Sequence, residues 1–130
     1  MSFKAIFKTT GQEFRVLSSS YNVYRAVDEM GRPTSSTVGG EISISMESNA
    51  NNLFFEHISI GEMLKDGTIT YIKRNEEATM RELSFKNAFI SSFSETFDHS
   101  GGSGAMITSI TLVAQVIIMG NGEIINEWKS

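Results

Sequence analysis

Residues 41–48 alternate with a period of two: Ile42, Ile44 and Met46 fall on one face, and Glu41, Ser43, Ser45 and Glu47 on the other. Successive side chains of an extended strand point to opposite faces, so this pattern marks an antiparallel strand with one face buried. The same period recurs along the chain. Residues 2–9 set Phe3, Ala5 and Phe7 against Lys4 and Lys8. Residues 79–97 put Leu83, Phe85, Phe89, Phe93 and Phe97 on one side, with Glu82, Ser84, Lys86, Ala88 and Ile90 on the other. Residues 106–119 set Ile110, Leu112, Ala114, Val116 and Ile118 against Ser109, Thr111, Val113, Gln115 and Ile117. Residues 68–74 are rich in β-branched types, which suit a strand.

Between these runs the punctuation is clear. Residues 9–12 read as a turn around Gly11, and 121–122 as another. Residues 13–27 form a long strand whose apolar side changes phase near 18–20, as a bulge or sharp bend requires. A polar loop is expected over 28–40, with Asp28, Gly31, Arg32, the only proline at Pro33, Thr34, Gly39 and Gly40. It is too long for a tight hairpin, and long loops in compact domains usually have a job or are disordered; with no chemistry in this one, the expected job is contact. Residues 52–65 are the one helix candidate, opened by asparagines suited to an N-cap and closed at Asp66-Gly67. Its wide apolar stripe includes Leu53, Phe54, Ile58 and Leu64, expected in the core or in a lateral interface.

Six or seven strands and one helix in 130 residues, with no repeat or linker, predict one domain over 1–130. Long curving antiparallel strands predict a mainly β fold, a small antiparallel β-barrel of two packed sheets with one flanking α-helix. The edges of such sheets must close within the monomer or against neighbours.

The residues that carry chemistry are sparse. Cysteine is absent, which excludes disulfides and thiolate ligands or nucleophiles. The two histidines, His57 and His99, lack metal-binding spacing; Glu56, His57 and Glu62 do not share one helix face. No serine sits in a nucleophile elbow, and the glycine-rich 101–104 segment lacks the lysine and helix of a phosphate loop. Glu76-Glu77 reads as a solvated turn. No catalytic residue, metal or cofactor is expected. With 11 basic and 15 acidic residues the formal charge is -4, unlike the basic stripe of a nucleic-acid binder. The longest apolar run, in 112–120, is too short to span a membrane, and the N-terminal residues lack the apolar core of a signal peptide. Three readings stand at this point: an interaction protein, a monomeric small β-barrel that binds a ligand, and a small enzyme using Asp98-His99.

Several segments in order carry a family likeness: the opening MSFKAIF; Tyr24-Arg25-Ala26-Val27-Asp28 with Gly31-Arg32-Pro33 and Gly39-Gly40; Gly67-Thr68-Ile69 with Lys73-Arg74; Glu77-Ala78-Thr79-Met80; Phe85-Lys86-Asn87-Ala88; Phe93-Ser94-Glu95-Thr96-Phe97; and Gly120-Asn121-Gly122. Across residues 1–128 the chain resembles the tube protein of the type VI secretion system, the haemolysin-coregulated family in its Bacteroidetes form. The resemblance implies a structural, non-enzymatic subunit forming homo-hexameric rings that stack into a tube. It implies as partners a spike protein, a contractile sheath and baseplate, and effector proteins carried in the channel, with no nucleic acid and no membrane insertion. It also implies assembly in the cytoplasm, secretion without a signal peptide, and a role in ring stacking for the 28–40 loop.

Overall fold

The computed structural model describes residues 3–48, 52–61, 63–73, 78–98 and 105–125. In chain order these form β1 (Phe3–Thr9), β2 (Gln12–Val27), β3 (Pro33–Glu47), α1 (Leu53–Ile60), β4 (Leu64–Lys73), β5 (Ala78–Asp98), β6 (Ala105–Met119) and β7 (Gly122–Ile125). All strand pairings are antiparallel, in the order β3-β2-β1-β4-β5-β6-β7, and a further β3–β6 pairing closes six of them into a ring. β7 lies against the later part of β6, outside that ring. The protein is thus a mainly β, ringed antiparallel sheet with one flanking helix.

Local chemistry accounts for the connections. β1 and β2 join through Thr10 and Gly11, both at positive φ (49° and 79°), the handedness that two-residue hairpins need. α1 ends at Gly61, left-handed at φ 71°, whose N–H donates to the His57 carbonyl. Gly61 therefore stops the helix, and the Asp66-Gly67 stop is corrected: both residues lie within β4, and Leu64 is a strand residue.

The 28–40 loop is corrected in the same way. Only 28–32 turn, and β3 starts at Pro33. The pairs Val27↔Pro33, Arg25↔Val38, Tyr24↔Gly39 and Val23↔Gly40 carry the hairpin outward, with an irregularity between Arg25 and Val27. The physical reason is that the far half of β2 needs a hydrogen-bonding partner, and a Ser/Thr/Gly-rich segment can supply backbone groups as well as any other. Proline is tolerated as the first residue of a strand.

The core is one cluster inside the ring. Phe7, Phe14, Phe54 and Phe85 pack with ring centroids 5.0–6.1 Å apart, and Ile42, Ile44, Met46, Leu64, Ile69, Leu83, Ile110 and Leu112 surround them. Ile42, Ile44 and Met46 are all buried, as their alternation requires. The single stripe expected on β5 does not persist. Leu83 and Phe85 are buried, then Ala88 and Ile90, while Phe89 and Phe97 are exposed. The inward face changes at Asn87, a non-glycine residue at φ 53°, whose side-chain amide donates to Gln115 Oε1 at 2.9 Å. β6 changes face in step, so Ile117 is buried opposite Phe85 although it was expected to point outward with Gln115. The phase change expected in β2 corresponds to a register shift between Val16 and Ser18.

Candidate functional site

The ring has two unlike halves. β2 pairs with β1 through Val16, and β5 pairs with β4 through Ala88. Beyond those points, residues 17–27 of β2 pair only with β3, and residues 89–98 of β5 only with β6, among the described residues. The order β2-β3-β6-β5 is thus a four-stranded sheet with an open edge on each side. Open edges present unpaired backbone groups, a template for another strand.

The outward face of this sheet is lined with hydroxyls. The register places Ser18, Ser45, Ser109 and Ser94 side by side across all four strands. The next row outward along the sheet is Ser20, Ser43, Thr111 and Ser92. Ser45 Oγ and Ser109 Oγ lie 2.9 Å apart within the first row. The rows line a shallow groove of about 280 Å³. The inward row between them, Ser19, Ile44, Ile110 and Phe93, turns toward the core. The hydroxyl rows make this part of the face wettable, and Glu41 and Glu47 flank them on β3.

At one end of the sheet the β2–β3 hairpin forms an arm. Its turn is held by Asp28, whose Oδ1 accepts from the Met30 N–H (2.9 Å) and the Arg32 N–H (3.0 Å), while Oδ2 meets Arg32 Nε at 3.3 Å. Asp28, Gly31 and Arg32 thus share one turn; Pro33, Thr34, Gly39 and Gly40 lie in β3. The arm exposes Tyr24, Val27 and, most of all, Met30 at 77%. These exposed apolar side chains make the hairpin a candidate contact surface.

α1 closes the other end. Phe54 inserts among the core phenylalanines, Leu53 and Ile58 pack partly against the core, and Leu64 is fully buried at the start of β4. Below the helix, Glu95 Oε2 accepts from Thr108 Oγ1 at 2.8 Å and from Ser48 Oγ at 3.2 Å. Phe55 and Ile60 face outward.

Among the described residues no group of three or more His, Asp or Glu side chains could hold a metal ion, and no helix is long and apolar enough to cross a membrane. His57 is half-buried on α1. Glu62, Arg74, Glu76-Glu77, His99 with the 101–104 glycines, and Trp128 lie outside the described residues. The hydroxyl rows were not singled out in the sequence. Their signal was a serine or threonine at every second position of four separate strands, and only the register aligns them.

The family model for hemolysin coregulated protein Hcp (TssD) matches residues 1–129. The chain belongs to the Hcp (TssD) family of the type VI secretion system. Hcp1 from Flavobacterium johnsoniae has the same fold at TM-score 0.82 and 31% identity, over 95% of this chain and 99% of that one. Hcp1 from Salmonella typhimurium shares the fold at TM-score 0.75 and 16% identity, over 95% and 92%. A sheath/tube terminator of an extracellular contractile injection system (PVC) shares it at TM-score 0.59 and 20% identity, over 90% and 93%. No curated protein matches the chain. As an Hcp family member the chain has a structural role in type VI tube and ring assembly and is not an enzyme.

Proposed function

We propose that the chain is the subunit of a type VI secretion inner tube, a small barrel of two packed sheets in a single domain over 1–130. Six copies close into a ring, rings stack into a channel, and sheath contraction expels the tube with its effector cargo. The observation that carries this reading is the pair of open edges on one sheet. β2 and β5 run in opposite directions, so rotation about one axis sets the β2 edge of each copy antiparallel to the β5 edge of the next. Two different patches then meet at every contact, which is a heterologous interface that closes by rotation.

The same geometry orients the wall. The rest of the subunit, with β1, β4 and α1, lies behind the sheet. A ring places its bulk outside and its narrow side inside, so the two hydroxyl rows face the channel. The hydroxyl lining, flanked on β3 by Glu41 and Glu47, lets polar cargo pass without apolar adhesion. The β2–β3 arm, with Asp28, Gly31, Arg32, Pro33, Thr34, Gly39 and Gly40 along it, reaches the next ring. The exposed Met30 supports that role. The spike protein, contractile sheath and baseplate complete the set of partners, with assembly in the cytoplasm and export without a signal peptide.

Interior packing favours this reading over a monomeric ligand-binding barrel: the core phenylalanines occupy the space a ligand would need. Negative-stain electron microscopy tests the proposal. Rings with a central opening are expected; a field of single compact particles at micromolar concentration argues against it.

A further inference from the structure

Where β2 leaves β1, the two strands fork. A groove of about 290 Å³ opens there, lined among others by Lys4, Arg15, Leu17, Ser18 and Tyr71. Leu17 sits at the register shift, and its side chain is 48% exposed. Arg15 is exposed and takes part in no ion pair among the described residues. The groove is continuous with the open edge of β2.

At the other edge of the four-stranded sheet, α1, which packs on Phe14 through Phe54, also reaches the open stretch of β5. The Phe55 ring meets Phe93 of that stretch edge-on, at 5.9 Å between centroids, and is itself 59% exposed. Glu56 follows it, exposed and in no ion pair among the described residues. One side of the subunit therefore offers a cation and a leucine at the start of an open edge. The other offers a carboxylate and an aromatic ring beside the complementary open edge. When β2 and a neighbour's β5 align antiparallel, the beginning of residues 17–27 faces the later part of residues 89–98. That alignment brings the neighbour's α1 to the fork.

We propose that the β1–β2 fork is the socket for helix α1 of the next copy, with Arg15 meeting its Glu56 and Leu17 covering its Phe55. This rests on the ring reading and deepens it. Backbone pairing of the β2 and β5 edges is not by itself protected against slippage by two residues, because the hydroxyl rows repeat at that spacing and the same face would stay outward. A charged and apolar socket at one end fixes the register, as complementary charges do at other interfaces.

The absence of cysteine makes the test direct. The double variant Leu17→Cys/Phe55→Cys, treated with a short thiol-reactive crosslinker, is expected to give a covalent ladder up to the full ring. A mixture of the two single variants is expected to stop at dimers, and each single variant alone to give none. Rings of native mass with no ladder overturn the socket while leaving the ring reading intact. Crosslinking within one single variant alone overturns it as well, because that requires like patches to meet. A wild-type chain that stays monomeric overturns both. As a second arm, Arg15→Glu and Glu56→Arg each weaken ring assembly at least about tenfold, and their combination restores it. Full assembly in both single reversals contradicts the proposed pair.

Discussion

The closed half of the molecule and its open half share β2 and β5, yet they solve different problems. In the closed half, β1 and β4 pair on both edges, and the enclosed space is filled by phenylalanines in contact with one another. In the open half, β2 and β5 continue past their partners, keep one edge free, and turn serine rows outward. β2 and β5 each cross from one regime to the other at an irregularity: the shift at 16–18 in β2, and Asn87 with the shift at 90–92 in β5. The filled core is the source of subunit stability, and the open edges are the surfaces proposed for association.

That division can be broken by mutation. The largest effect on the subunit itself belongs to Phe54→Ala. Phe54 lies 5.0 Å from Phe14 and 6.0 Å from Phe7 between ring centroids, so its truncation empties the junction of helix and ring and costs about 3–5 kcal/mol in urea unfolding. Gly67→Ala comes next. A Cβ there would stand 2.3 Å from Phe85 Cζ and 3.0 Å from the Lys8 carbonyl oxygen, and relieving that overlap costs about 1–3 kcal/mol by the same measurement. Asp28→Ala removes the two side-chain hydrogen bonds of the arm's turn and the pair with Arg32 but leaves its backbone bonds, and costs about 1 kcal/mol. Met30→Glu sharpens the comparison from the other side. Unfolding of the subunit should shift by no more than about 0.5 kcal/mol, while sedimentation should show intact rings that no longer stack. A loss of stability comparable to that of Phe54→Ala would remove the distinction between the halves. The smallest effect is that of Lys8→Ala, which breaks an exposed 3.2 Å pair with Glu13 and should change stability by less than about 0.5 kcal/mol.

Much of the core was legible in the sequence, because its signal is local. Ile42, Ile44 and Met46 are buried because a strand of period two has one buried face, and the bend in β2 showed as a phase change within a few residues. The face switch in β5 was not legible. It depends on Asn87 adopting a positive φ, which an asparagine can do but does not announce. The stripe from Phe85 to Phe97 looks continuous in the sequence because the alternation carries no mark of a face switch at that residue. The outer half of β3 was hidden in Ser, Thr and Gly residues that suit a loop equally well; only pairing with β2 makes them a strand. The hydroxyl rows are the least local feature. Ser18, Ser45, Ser94 and Ser109 come from four strands, and no window of sequence contains them together. The likeness to the tube-protein family was carried by short segments in order, and it reached function where the spacing of polar residues could not.

The central claim is that the two open edges of one subunit serve each other in a closed ring. Native mass spectrometry of the unmodified chain tests it most directly. The account predicts a dominant species at six times the 14.4 kDa subunit mass, with few intermediates between monomer and ring. A chain that remains monomeric at every concentration examined, or that forms only a two-fold dimer through like surfaces, would contradict it.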